Sequence, residues 1–258
     1  MRDSLSSASI TDGLRTRFIG QRVIYYPRLA STMTAAKQEA QRGATEGTVV
    51  IADEQTAGRG RMKRSWLSPK GNIALSIILY PTITSLPYLI MLASLAVADA
   101  IEAVTGLKTQ LKWPNDVLIN GRKVGGILIE GEVRGRKLDY AIIGIGVNTN
   151  LNPSHFAELL PVATSLGDEL GGEISRLAII QRLLVKVERL YLALPSAETI
   201  YGPWRDRLVT LGRQVEVSWG RTRYQGIAES VALDGSLLLR HPDGSLSRVV
   251  AGDVSLRG

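Results

Sequence analysis

Residues Gly58 to Trp66 read G-R-G-R-M-K-R-S-W, three arginines and a lysine crowded around two glycines. On either side stands a β-branched strand pattern: G-T-V-V-I-A-D-E from Gly47 to Glu54, and N-I-A-L-S-I-I-L-Y from Asn72 to Tyr80. The basic loop therefore joins two buried strands. Glycines let such a loop turn sharply and aim backbone N–H groups at oxygens, while guanidinium forks clamp carboxylate or phosphate. A solvated loop or a nucleic-acid contact has the same composition, but the flanking strands favour a cradle for a phosphate, a carboxylate or both.

At 258 residues the chain can bury a large core and suits one full domain with a small appendage. The absence of cysteine excludes disulfides, thiolate metal sites and a Cys nucleophile. With only His155 and His241, a zinc cluster or a Ser-His machine is not expected, and His241 lies in the turn sequence H-P-D-G. A net charge of +7, from 31 Lys and Arg against 24 Asp and Glu, favours nucleic acid, anionic metabolites or acidic proteins as partners. Residues 1–20 contain no signal-like apolar run, and Ser4 to Ser9 reads as a polar, disordered start. A cytoplasmic protein is the expectation. The apolar stretch Leu86 to Gly106 approaches the length of a membrane span, yet Asp99 and Glu102 interrupt it, Pro87 suits a helix start and Gly106 a helix end. It is read as a buried helix without membrane contact.

Strand and helix patterns alternate along the chain. Ser31 or Thr32 can cap a helix over Met33 to Arg42 that ends at Gly43. Strands are expected at 48–53, 73–80 and Tyr140 to Val147, and helices over Arg176 to Leu194 and Tyr201 to Val209. After Leu211-Gly212 the pattern changes to short β segments, Gln214 to Ser218, Thr222 to Val231, Ser236 to Arg240 and Leu246 to Val250, with turn signals at Asp234-Gly235 and Asp243-Gly244. A small all-β module over 211–258 would lean on the larger domain.

Lys112 to Glu130 reads K-W-P-N-D-V-L-I-N-G-R-K-V-G-G-I-L-I-E. A two-residue turn at Asn120-Gly121 pairs Ile119 with Arg122, Leu118 with Lys123, Val117 with Val124 and Asp116 with Gly125. That register places Asp116, Lys123 and the bare Gly125 on one surface. A surface ion pair across a hairpin is the bland alternative, but V-L-I and I-L-I bury this hairpin, and buried strands rarely carry charge without a use for it.

G-R-G-R-x-x-R-x-W, followed by K-W-P-N-D and K-V-G-G-I-L-I-E, closely resembles the biotin protein ligases, or biotin–[acetyl-CoA-carboxylase] ligases, from about Ile19 to the end of the chain. The resemblance implies an α+β fold like that of class II aminoacyl-tRNA synthetases: a mixed, mainly antiparallel sheet flanked by helices, with a small C-terminal SH3-like barrel. It divides the chain into a flexible tail over 1–18, a catalytic domain over 19–210 and the small domain over 211–258. It implies two steps, adenylation of biotin by ATP with Mg²⁺ to give biotinyl-5′-AMP, and transfer of biotin to a lysine of an acidic biotin carrier protein.

By position, Lys123 matches the catalytic lysine that bridges the biotin carboxylate and α-phosphate. Arg61 would hold the phosphate, Arg64 order the loop, Gly58, Arg59 and Gly60 close over the ligand, and Trp66 pack by the adenine, although a buried anchoring Trp has the same look. Asp116 would orient or deprotonate the incoming lysine, with Asn115 making polar contacts; Lys112 is as well read as an exposed strand residue. Ser31, Thr32 and Gln55 match positions that bond biotin's ureido ring, Asn148 one near the adenylate, and Gly125 one that leaves biotin room. Met33 stands where the family usually has Asn. No protein metal cage is expected, which suits Mg²⁺ carried by phosphates and water. Bifunctional relatives add an N-terminal winged helix, and only residues 1–18 precede the pattern, so a monofunctional ligase without a DNA partner is expected. Strand edges would allow a homodimer. Two other readings fit parts of the pattern, a lipoyl or octanoyl ligase and a basic nucleic-acid-binding module; aromatics at 5% supply no stacking platform for the latter.

Overall fold

The computed structural model describes residues 4–151, 162–196, 198–220 and 222–256. His155 lies outside the described residues. Strands β1 (Val23–Tyr26), β2 (Val49–Ala52), β3 (Ile73–Leu79), β4 (Gln110–Lys112), β5 (Asp116–Ile119), β6 (Arg122–Arg134) and β7 (Lys137–Val147) form one sheet in the order β1-β2-β3-β7-β6-β5-β4. Only β1 and β2 are parallel; the other neighbours in this sheet are antiparallel.

Period-two alternation assigns the faces. Val49 and Ile51, Ile73, Leu75 and Ile77, and Ile143, Ile145 and Val147 join the larger core, with helices α3 (Leu86–Thr105) and α5 (Arg176–Leu192). The intervening Val50, Ile78 and Ile142 face the other way, against α2 (Thr32–Gln41), in a smaller cluster with Met33, Ala36 and Tyr140. Helix α3 is long and apolar enough to cross a membrane, but Leu89, Met91, Leu92, Val97 and Ile101 are at most 1% exposed within the core. Its ends are as expected, Pro87 in the first turn and a left-handed Gly106 at φ 73°.

The N-terminal segment is folded where a flexible tail was expected. A capping box between Ser6 and Ser9 starts α1 (Ser7–Thr11), and Leu5 and Ile10, two apolar residues set among serines, are buried in the main core. The Glu188 carboxylate on α5 accepts the backbone N–H groups of Arg17, Phe18 and Ile19 at 2.8–3.0 Å.

Helix α6 (Glu198–Asp206) leads to a second sheet of β8 (Gln214–Trp219), β9 (Thr222–Val231), β10 (Leu237–Arg240), β11 (Leu246–Val249) and β12 (Asp253–Leu256), antiparallel in the order β11-β10-β9-β8-β12. Trp113, 1% exposed, joins the two sheets, its indole donating to the Gly235 carbonyl at 2.8 Å and its backbone N–H to Thr210 Oγ1 at 2.9 Å. Strands β1, β4 and β12 and the short helix α4 (Leu166–Leu170) lie outside the elements expected from the sequence.

The β5–β6 hairpin departs from the expected register. Ile119 pairs with Arg122 and Leu118 with Lys123, but Val117 pairs with Gly125 and Asp116 with Gly126. A bulge at Val124–Gly125 inserts one residue, so both face the α3 side: Val124 is in the main core, and a Cβ on Gly125 would meet Val117 and Val97. Gly126, not Gly125, is the bare residue on the face of Lys123 and Asp116.

Candidate active site

A cleft lies on the α2 face of the first sheet, beneath the basic loop, with β12 at its rim. Its floor is bare because β7 has glycine at 144 and 146, successive positions on that face. Met33 Sδ lies 2.5 Å from where a Gly144 Cβ would stand, and a Gly146 Cβ would collide with the Trp66 ring. Gly126 adds to the shelf, with Lys123 Nζ 3.3 Å and the Trp66 ring 3.3 Å from its missing Cβ. The sequence carried a signal for this floor, since G-I-G within a strand marks close approach of another group.

Thr32 and Gln55 line the cleft beside Met33 at the start of α2. Ser31 occupies the N-cap position, yet its hydroxyl makes no capping bond and is buried without a partner among the described residues. The Gln55 carboxamide oxygen caps the helix instead, accepting from Thr32 N at 2.8 Å and Thr32 Oγ1 at 3.1 Å, while Ser76 Oγ donates to Thr32 Oγ1 at 2.9 Å. A buried hydroxyl with no partner costs free energy until a ligand or water supplies one.

The loop lines the cleft with Arg59, Gly60, Arg61, Arg64 and Trp66. Gly58 lies at its neck, where a Cβ would strike the Trp66 carbonyl oxygen. Arg59 pairs with Glu130 at 3.0 Å and Arg64 with Asp253 of β12 at 2.6 Å. Arg61 differs: its guanidinium donates to Asn115 Oδ1 at 3.1 Å and the Gly252 carbonyl at 3.2 Å, both neutral oxygens. Burial pulls its pKa below the ordinary arginine value, with Asp253 and Asp116 opposing that shift and Arg64 adding to it. A half-buried guanidinium with no bonded carboxylate among the described residues suits an anion.

Lys123 Nζ stands 2.5 Å from Asp116 Oδ1 and 5.4 Å from the Trp66 ring centroid. Asn115 Nδ2 donates to the Ile127 carbonyl at 2.8 Å, which presents its oxygen to Arg61. Lys112 also lines the cleft. Trp66 Nε1 is buried without a partner among the described residues. Asn148 does not line the cleft; it is buried, with Nδ2 donating to the Thr164 carbonyl at 3.1 Å. Among the described residues no group of three or more His, Asp or Glu could hold a metal ion. Gly252, Asp253 and Val254 were missed in the sequence, since nothing local to A-G-D-V-S-L shows that the last strand returns to a loop near residue 60.

The chain matches the biotin/lipoate A/B protein ligase family model over residues 25–148 and the biotin protein ligase C-terminal domain over residues 210–257. It is 38% identical to the bifunctional ligase/repressor BirA of Bacillus subtilis, over 98% of this chain and 79% of that protein. It is 33% identical to the biotin–[acetyl-CoA-carboxylase] ligase of Mycobacterium tuberculosis, over 98% of this chain and 96% of that one. In structure it superposes on the Aquifex aeolicus biotin protein ligase in complex with biotin and ATP with a TM-score of 0.76, at 28% identity, covering 92% of this chain and 99% of that chain. The Leishmania major biotin protein ligase with biotinyl-5-AMP gives 0.61 at 25% identity, covering 89% and 99%.

Proposed function

The chain belongs to the biotin protein ligases, and from that premise we propose that it joins biotin to AMP and then to a lysine of a biotin carrier protein, such as the carrier domain of acetyl-CoA carboxylase. The observation that carries the residue assignment is the pairing, in one cleft, of Arg61, bonded to neutral oxygens, with Lys123. Both substrates of the first step are anions, and fixed cations let them approach.

In the proposed first step a biotin carboxylate oxygen attacks the α-phosphorus of ATP, and pyrophosphate leaves with the electrons of the broken P–O bond. Lys123 bridges carboxylate and α-phosphate, and Arg61 holds the phosphate oxygens. Thr32, Gln55 and Ser31 supply the polar contacts to the ureido ring, Gly58, Arg59 and Gly60 close over the ligand with Arg64 ordering the loop, and the Trp66 ring walls the adenine. Magnesium would neutralise phosphate charge there, carried by phosphate oxygens and water.

In the second step the acceptor amine attacks the acyl carbon, the tetrahedral intermediate expels AMP, and the amine loses its proton. Asp116 is assigned that proton or the orientation of the amine. It is bonded to Lys123, so engagement of Lys123 by the two anions frees the carboxylate for its later task. Asn148 acts through the Thr164 carbonyl it holds, and Asn115 through Arg61.

The net charge of +7 is assigned to the nucleotide and to an acidic carrier domain, the setting is the cytoplasm, and residues 19–210 and 211–258 are the two working units. Biotin-dependent exchange of labelled pyrophosphate into ATP, with lipoate and octanoate as controls, tests the reading. Exchange with biotin alone supports it; exchange with lipoate or with no acid refutes it.

A further inference from the structure

Lys123 sits at the edge of a bracket that the proposed chemistry of the cleft does not use. Its backbone N–H donates to the Val162 carbonyl at 2.9 Å, and its carbonyl accepts from Thr164 N at 2.9 Å, a parallel bridge to residues 162–164. This bridge and the hairpin tip are tied together by one carboxylate. Glu169, on α4 with its side chain 6% exposed, accepts from Asn120 Nδ2 at 2.8 Å, from Arg122 Nη2 at 2.6 Å and from Thr164 Oγ1 at 2.7 Å. Asp168 stands further off, 3.9 Å from Arg122 and 3.5 Å from the Thr164 hydroxyl. The same segment is fastened just beyond β7, where Leu166 N donates to the Asn148 carbonyl at 3.0 Å and Asn148 N in turn donates to the Val124 carbonyl of β6 at 2.8 Å.

We propose that Glu169 is a positioning residue for Lys123. Its three donors flank the lysine on both sides: residues 120 and 122 precede it in the hairpin, and residue 164 bonds it from the adjoining chain. The bulge at Val124–Gly125 makes such a brace necessary, because it interrupts the ladder to β5 immediately beyond Lys123. An exposed acid on a short helix would have been solvated; this one is buried and fully engaged by donors. A lysine that must reach two anions at once tolerates little displacement, and a shift of about 1 Å at a reacting group costs about 100-fold in rate.

The inference rests on the proposed role of Lys123, and its test separates the two. In the pyrophosphate exchange assay, Glu169→Ala is expected to lower kcat by about 10- to 100-fold with the KM for biotin unchanged. Glu169→Gln, which keeps one oxygen for Arg122 and Thr164, is expected to recover most of the rate. Hydrogen exchange read at the Lys123 and Thr164 amides is expected to accelerate in Glu169→Ala. A wild-type kcat in Glu169→Ala, a loss confined to KM, or amides as protected as in wild type would overturn the proposal. Should Glu169→Ala not fold, Thr164→Val removes one donor and leaves the backbone bridge; an unchanged kcat and unchanged amide protection there would also overturn it. Wild-type protein without biotin-dependent exchange would instead refute the proposed reaction, and the amide measurement would still judge the brace.

Discussion

Gly146→Ala tests the packing of the cleft floor. A Cβ at Gly146 would lie 2.7 Å from Trp66 Cζ2 and closer still to two other ring atoms. Ordinary carbon contacts fall near 3.5–4.0 Å, so the ring must retreat by about 1 Å. The Trp66 backbone resists, because its N–H is bonded to the Gly58 carbonyl at 2.9 Å. Overpacking of this kind costs about 1–3 kcal/mol, and in a chain of this size each kcal/mol lowers Tm by about 2–4 °C, so a fall of about 5 °C is expected. Thermal unfolding of Gly146→Ala, Trp66→Ala and the double variant measures it. If the clash is the cause, the alanine at 146 has little effect once the indole is gone, and the cycle shows a coupling of about 1 kcal/mol or more. Additive effects, or a Gly146→Ala protein as stable as wild type, would refute the reasoning. The displaced ring also disturbs Lys123, 5.4 Å from it, so adenylate formation is expected to fall together with stability.

Other consequences can be measured separately. Lys123→Ala is expected to abolish pyrophosphate exchange while lowering stability by no more than about 1 kcal/mol, because the lost pair with Asp116 is partly solvated; near-wild-type exchange would remove the lysine from the mechanism. Asp253→Asn weakens the 2.6 Å pair with Arg64, and proteolysis between Gly58 and Ser65 is expected to quicken in the unliganded protein, with biotin and ATP restoring protection. For Glu188, burial alone would raise the pKa, but the N–H groups of Phe18, Arg17 and Ile19 hold it below the ordinary glutamate value. The folded state then binds fewer protons than the unfolded state, so this stabilisation is complete above the ordinary carboxylate range and is lost as pH falls through the depressed pKa. Glu188→Gln is expected to cost about 2 kcal/mol at neutral pH, with the gap to wild type narrowing in acid; a pH-independent gap would contradict the linkage.

Much of this arrangement was legible in the residues. The loop from Gly58 to Trp66, the hairpin turn at Asn120-Gly121 and the ends of α3 all follow from local chemistry, and Arg61, Lys123 and Asp116 line one cleft. What escaped depends on groups distant in sequence. Leu5 and Ile10 look like strays in a serine-rich tail until α5 stands behind them, with Gln181 Nε2 donating to the Ile10 and Asp12 carbonyls. Asp253 meets Arg64 across 189 positions of chain, and Glu169 belongs to a helix of five residues too short to leave a periodic signal. The misplaced Gly125 has a local cause, since a pair of adjacent glycines allows a bulge at this point without requiring one.

That bulge is a phase slip in the numbering of the cleft. Up to Lys123, odd positions of the hairpin strand look toward the ligand side; from Gly126 onward even positions do, which is why Leu128 packs with the Met33 cluster and Glu130 reaches Arg59. A substitution library meant to reshape the cleft must therefore change parity between 123 and 126. Ironing the bulge into a regular ladder with no residue removed would turn Leu128 and Glu130 away from Lys123, whereas deleting one of the two glycines would remove the extra residue and keep them in step.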